Sequence, residues 1–454
     1  MIYRNEEELF DHCNIEIIGD KVEIKDLDFF KKSSADNLVD NLLLSHSDHL
    51  KNICHWVVFE AANKFGIIPS SIQTLYEARA RHNLTHFTVP AINLRTLTYD
   101  SARAVFRAAE KINAGPFIFE IARSETGYTE QRPLEYSSFV ILAAIREGFR
   151  GPVFIQGDHF QVKAKNFLQD RDREVNQLKG LISEAIQAGF YNIDIDSSTL
   201  VDLSKSTIDE QQKLNYEICA LFTKFIRELQ PKGIEISIGG EIGEVGGKNS
   251  TPEELHAFMR GYISMMQGIT GISKISIQTG TTHGGIILPD GSMEKAKIDF
   301  DTLKVLSQIA RTEFGMAGAV QHGASTLPKD SFHHFPEYEC AEIHLATQFQ
   351  NIVYDCLPSS LKDEIYAWLY KNCSDEKRPE QTDDQFIYKT RKKALGPFKR
   401  QIYSLPDDIK NKISSALEEE FSFLFEKLSL NDTMVFVERY VKPTRVEKKK
   451  EDFL

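Results

Sequence analysis

Short apolar runs rich in β-branched and aromatic residues recur along the middle of the chain. They are HFTVPAIN (86–93), PFIFEI (116–121), PVFIQG (152–157), FYNIDI (190–195), IEISIGG (234–240), KISIQTG (274–280), AGAVQ (317–321) and AEIHLAT (341–347). Longer stretches with a helical apolar repeat lie between them, among them SARAVFRAAEKI, REVNQLKGLISEAIQAG and TPEELHAFMRGYISMM. Strands that alternate with helices pair in parallel. Eight such units over about 270 residues predict an α/β fold, a closed (β/α)8 barrel whose usual size is roughly 250 residues. An open, doubly wound sheet fits less well, because no GxGxxG follows the first strand.

The barrel is expected to occupy residues 81–358. Residues 1–80 precede it and carry the amphipathic stretch SADNLVDNLLLSHSDHLKNICHWVVFEAANKFG, which predicts an N-terminal helical extension packed on the barrel or on a partner subunit. Residues 359–454 read as a C-terminal helical extension ending in the charged tail VKPTRVEKKKEDFL. There is no fixed-period repeat and no low-complexity linker.

With 454 residues, 41% of them hydrophobic, the chain can bury a large core. The formal charge of −12 and pI near 5.6 set up a field that repels nucleic acid and anionic membrane, so neither is expected as a partner. An anionic substrate then needs a local basic pocket. Six cysteines without a CxxC pair fit neither a disulfide scaffold nor a cysteine zinc site, and read as reduced thiols of a cytoplasmic protein. No stretch approaches the roughly 18 apolar residues of a membrane span, and the N-terminus carries no export signal.

The candidate chemistry sits where the predicted strands end. His159, His283 and His322 each follow an apolar run and stand beside small or acidic residues, in PVFIQGDH, KISIQTGTTHGG and AGAVQHGAS. In a parallel barrel the C-terminal strand ends converge on one mouth, so three such histidines can share a metal ion and leave one coordination position open, as a catalytic zinc site does. Asp158, next to His159, is suited to pass a proton to or from a substrate hydroxyl. Asp194 and Asp196 in NIDIDSS are read as facing opposite sides of the fourth strand, with Asp196 assigned to the mouth. The fifth strand delivers the glycine-rich GGEIGEVGGKNS, with Glu241 able to approach a metal and Glu244 further along. TGTTHGG and HGAST offer amides and hydroxyls suited to a phosphate oxygen. The basic run KTRKKALGPFKR, from Lys389 to Arg400, reads as a solvated helix face or as the source of an arginine that reaches a substrate phosphate.

Taken in order, PAIN, GDH, IDxS, GGEIGEVGG, GTTHGG, HGAS and HLAT resemble the motifs of the class II, zinc-dependent ketose-bisphosphate aldolases over about residues 84–360. The resemblance implies a zinc ion on His159, His283 and His322, with Glu241 and Asp196 near an alternative metal position. It implies Asp158 as the residue that acts on the substrate hydroxyl and Asn93 as a substrate contact. Gly284, Gly323, Ser325 and Thr347 match a loop that binds phosphate and a monovalent cation such as K+ or Na+, and Arg391 is the candidate for a further phosphate contact. Two positions depart from the pattern. Lys248 and Asn249 stand where the family carries an acidic residue that serves as the carbon base, which leaves Glu253, Glu254 or His344 for that role. His344 itself replaces an asparagine.

The expected activity is reversible aldol cleavage of a ketose 1,6-bisphosphate, foremost fructose 1,6-bisphosphate, to dihydroxyacetone phosphate and glyceraldehyde 3-phosphate, a step of glycolysis and gluconeogenesis. Tagatose bisphosphate is the alternative substrate, and a dimer or tetramer the expected assembly. A zinc hydrolase on the same barrel would carry an HxH pair on its first strand, which HFTVPAIN lacks. A non-catalytic sugar-phosphate sensor is the third reading, permitted by the missing base.

Overall fold

Eight strands, Val89–Asn93, Ile118–Ala122, Gly151–Gln161, Asn192–Asp196, Ser237–Glu241, Lys274–Ile277, Ala319–Gln321 and Glu342–Leu345, pair in parallel with their chain neighbours. The eighth returns to pair with the first, Glu342 opposite Val89, and closes the expected (β/α)8 barrel. Each predicted run supplies one strand. The computed structural model describes all residues except 244–247, 282–287, 289–297 and 326.

The helices form because the intervening segments carry an apolar stripe and strong start signals. In Ile208–Leu229, Thr207 and Glu210 form a reciprocal capping box, and Ile218, Cys219, Phe222 and Ile226 are buried on the face toward the barrel. Both flanking segments pack on this frame. A strand at Ile67–Ser70 adds to the N-terminal half of the third barrel strand. Helix Gln73–His82 then lays Tyr76 and Arg79 beneath the barrel. The buried Arg79 guanidinium donates to the carbonyls of Phe87 (2.7 Å), Cys340 (2.9 Å) and Ala317 (3.2 Å), which precede the first, eighth and seventh strands. Helix Asp407–Lys427 packs on helix Thr98–Lys111, with Glu418 bonded to Arg107 at 2.6 Å. Among the described residues no helix is long and apolar enough to cross a membrane.

One irregularity shapes the mouth. Along the third strand Gly157 faces Ile193 of the fourth, but Phe160 faces Ile195, so the third strand carries one extra residue at this point, a β-bulge. His159 takes up the bend with φ +38°. In an unbroken strand Asp158 and His159 would point to opposite faces. The bulge turns both toward the interior.

The aspartates of the fourth strand require a correction. Residues two apart on a strand share a face, so Asp194 and Asp196 both point inward, 5% and 2% exposed. Asp194 pairs in register with Gly239, where a Cβ would stand 2.3 Å from its Oδ1. The glycine makes room for the carboxylate.

At Gly157 a Cβ would lie 2.5 Å from the ring of the fully buried Phe160. Gly157→Ala is therefore expected to destabilise the protein by about 1–3 kcal/mol, the usual cost of overpacking a core. Phe160→Leu in the same chain should recover part of that loss in urea denaturation. An unchanged midpoint for the single variant would show that the bulge tolerates a side chain.

Candidate active site

Asp158 and His159 reach the mouth from the third strand, His322 from the end of the seventh and His344 from the eighth. They border one cavity of about 230 Å3. The His322 ring centroid lies 4.1 Å from those of both His159 and His344. Thr281 Oγ1, from the loop after the sixth strand, and the adjacent Gln321 Nε2 both donate to the His322 carbonyl at 2.7 Å, while the ring nitrogen His322 Nε2 lies 2.9 Å from Ser276 Oγ of the sixth strand.

Behind His159 stand two buried carboxylates. Its Nδ1 is 3.2 Å from Asp196 Oδ2 and 3.3 Å from Glu241 Oε2. Burial and the neighbouring Asp196 charge push Glu241 up to about 7. Burial acts the same way on Asp196, but hydrogen bonds from His159, Ser198 and Gln161 outweigh it and hold that carboxyl below its usual range. One donor atom each from His159, Glu241 and His322 lie within 4.8 Å of one another. Imidazoles and a carboxylate at this spacing, backed by a second carboxylate, suit a divalent transition ion. His283 and Gly284 lie outside the described residues.

Beneath the mouth the barrel interior is charged, which the apolar reading of its strands did not foresee. Lys274 Nζ donates to Gln156 Oε1 (2.7 Å), to Asp194 (2.9 Å) and to Glu342. Tyr76 donates to Glu342 from below. Glu342 Oε1 lies 2.7 Å from His344 Nε2, and the other nitrogen, Nδ1, is 3.1 Å from both Asp158 Oδ1 and Glu120 Oε2. Burial opposes the charge on His344, yet Glu120 and Asp158 raise its pKa well above the ordinary value. Burial and Asp158 push Glu120 up to about 7. Glu120, Glu342 and Lys274 carried no motif in the sequence, and the only signal for them is a charged residue inside a β-run.

Asn93 does not border the cavity. Its Nδ2 donates to Glu125 at 2.7 Å and to Asp158 Oδ2 at 3.3 Å, so it positions the aspartate. Gly323, Ser325 and Thr347 border the cavity, and Ser325 Oγ accepts the amides of Ala346 (2.6 Å) and Thr347 (3.2 Å) at the start of helix Thr347–Cys356. With both amides donating to Ser325 Oγ, the positive end of the helix dipole is what favours an anion there.

Three site residues stand elsewhere than expected. Arg391 does not border the cavity: it donates to Asn351 Oδ1 at 2.5 Å and its guanidinium stacks over Tyr354 and Tyr388. Among the described residues, the basic side chains at the cavity are Arg95, Arg123, Lys163 and Lys392. Glu254 is held in a capping box with Thr251 and paired with Lys248 at 2.7 Å, while Glu253 is exposed on the same first helical turn. Neither glutamate borders the cavity, because STPEEL starts a helix whose N-terminal dipole favours both.

A family model described as "Fructose-bisphosphate aldolase class-II" matches residues 73–404. The D-tagatose-1,6-bisphosphate aldolase subunit GatZ of Escherichia coli (strain K12) is 26% identical over 138 residues. That stretch is 29% of this chain, which spans only 31% of the relative's length. A solved structure of a probable tagatose 6 phosphate kinase from Sinorhizobium meliloti 1021 is 14% identical, with a TM-score of 0.52 over 78% of this chain and 99% of that one, a likeness of fold. Fructose-bisphosphate aldolase (Fba) from Campylobacter jejuni is 18% identical, with a TM-score of 0.48 over 81% and 96% of the two chains. With the family match running through the whole barrel and into both flanking segments, the chain belongs to the class II fructose-bisphosphate aldolase family.

Proposed function

We propose that this chain is a metal-dependent lyase that cleaves a ketose 1,6-bisphosphate, with fructose 1,6-bisphosphate the leading substrate and tagatose 1,6-bisphosphate the alternative. The observation that carries this reading is the meeting of Asp158, His159 and His322 with Ser325 and the helix start at Ala346 and Thr347 around one cavity. His159, His322 and Glu241, with His283 by family resemblance, would hold one catalytic zinc ion, and Asp196 would orient His159. When bound, the ion supplies positive charge at the ketone oxygen, where electron density gathers as the carbon–carbon bond breaks.

The chain's own groups do the rest. Asp158 takes the proton of the hydroxyl on the carbon that leaves as the aldehyde, and returns it in the synthetic direction. Asn93 and His344 fix the carboxylate from two sides. One substrate phosphate lies against Gly323, Ser325 and Thr347, with a K+ or Na+ ion beside that loop. The other end meets Arg95, Arg123, Lys163 and Lys392; Arg95 pairs with Glu125 and Arg123 with Glu174, so the positive charge that attracts a dianion comes chiefly from the two lysines, which form no ion pair among the described residues. We place the protein in the cytoplasm as a homo-oligomer, in glycolysis or gluconeogenesis.

A second reading is favoured by Lys248 and Asn249, which leave no loop carboxylate at the family's base position. GatZ is named as a subunit of an aldolase. On this reading the chain acts only together with a partner chain.

Triose phosphate release from fructose and tagatose 1,6-bisphosphate is the direct assay. Activity is expected to vanish on complete chelation, to return with zinc, and to withstand borohydride in the presence of substrate. Release by metal-free protein, or a trapped lysine adduct, would refute the metal mechanism. Release only after addition of a partner chain would establish the second reading.

Asp158→Ala should lower turnover by about a hundredfold or more, the usual contribution of a general acid or base. At least one equivalent of divalent metal should stay bound. Wild-type turnover in this variant would return Asp158 to a structural role.

A further inference from the structure

Glu342 and His344 stand two residues apart on the eighth strand, so both side chains point into the barrel. Glu342 is fully buried, and both of its oxygens are taken. Oε1 accepts from Lys274 Nζ and from Gln156 Nε2 (3.0 Å), while Oε2 accepts from the hydroxyl of Tyr76, on helix Gln73–His82 below the barrel. A carboxylate gripped at both oxygens cannot turn about its last bond. Gln156 is itself oriented, since its Oε1 accepts from Lys274 at 2.7 Å and its amide also reaches Glu120 Oε2 at 3.0 Å.

This fixed carboxylate faces the ring of His344. Glu342 Oε1 lies 2.7 Å from Nε2. A carboxylate paired with an ammonium only accepts, so Nε2 carries a hydrogen and donates it. Asp194 Oδ2 stands farther from Nε2, at 3.6 Å, and is itself paired with Lys274. At the other edge of the ring Nδ1 meets Asp158 Oδ1 at 3.1 Å. An imidazole is rigid, so the direction set at Glu342 is passed on to Asp158. Buried polar groups linked in this way orient one another and share the effect of losing any member.

We propose that Glu342 and Tyr76 are positioning residues for the cleavage reaction, aligning the Asp158 carboxylate with the substrate hydroxyl through the His344 ring. The proposal rests on the lyase reading above and extends it to a side chain outside the barrel. Neither Glu342 nor Tyr76 borders the cavity, so neither meets the substrate and both act through His344. Asn93 steadies the other oxygen of Asp158, at 3.3 Å, from the first strand.

The test is a set of double-mutant cycles on the full chain, read as triose phosphate release with kcat and KM separated. Circular dichroism reports the folded fraction, and turnover is counted per folded chain. Tyr76→Phe removes one hydroxyl and is expected to lower kcat roughly threefold to tenfold with KM within about twofold, because a slackened reacting group costs rate rather than binding. Glu342→Gln keeps the size of the side chain and should act in the same direction, so either variant alone decides the question. In an Asp158→Ala or a His344→Asn background the same substitution should have no further effect. A merely structural role would lower turnover in every background alike. Unchanged kcat in a folded Tyr76→Phe or Glu342→Gln chain, or an undiminished loss in either background, overturns the proposal. A wild type that releases no triose phosphate from any ketose bisphosphate would sink the lyase reading and this inference with it, whereas an active wild type with independent losses sinks this inference alone.

Discussion

The extra residue in the third barrel strand is the constraint on which the mouth depends. A regular strand alternates its side chains, so consecutive residues cannot both serve an interior site. The shift between Gly157 and Phe160 suspends that alternation for one step. Asp158 thereby turns to His344 while His159 turns to Asp196 and Glu241. The left-handed backbone of His159 and the absent Cβ at Gly157 are the local conditions for this geometry. Bulges are common beside active sites because they re-aim side chains in this way. On the proposed function, this would let metal ligation and hydroxyl proton transfer act at neighbouring atoms of one substrate.

Below that mouth, the core is stabilised by compensated charge as well as by apolar packing. Lys274 bridges Asp194 and Glu342, and Tyr76 reaches Glu342 from a helix that precedes the barrel. Removing one member of such a buried set leaves the others without compensation, which costs far more than the set contributes as a whole. The chain of contacts runs from Tyr76 through Glu342 and His344 to Asp158, so the helix that closes the base of the barrel is mechanically continuous with the mouth. The N-terminal segment is in this sense part of the support of the site.

The barrel was legible because its strands are short apolar runs bounded by glycine and polar turns, with helical periodicity between them. Asp158, His159 and His322 were legible because they sit at strand ends within compact motifs. Glu120, Lys274 and Glu342 were not, since a single charged residue inside a β-run reads as an outward-facing position until the closed barrel gives it an interior partner. Asp194 was misassigned by a facing error that the two-residue period of a strand corrects. Glu253 and Glu254 belong to a helix start, and the capping box of Glu254 with Thr251 shows why a carboxylate three residues after a threonine is more often structural. Arg391 lies in the basic run but stacks on two tyrosines, whereas its neighbour Lys392 borders the cavity. Which member of such a run turns inward depends on helix packing, which spacing alone does not fix.

The central claim is that the bulged third strand, the end of the seventh strand and the helix start after the eighth strand form one metal and phosphate site. Anomalous diffraction at the zinc edge, from crystals grown with zinc and dihydroxyacetone phosphate, tests it most directly. The account expects an ion within bonding distance of His159 and His322 and a phosphate against Ser325 and Thr347. Zinc found only at surface groups such as His333, His334 and Glu337, with the phosphate elsewhere, would contradict it.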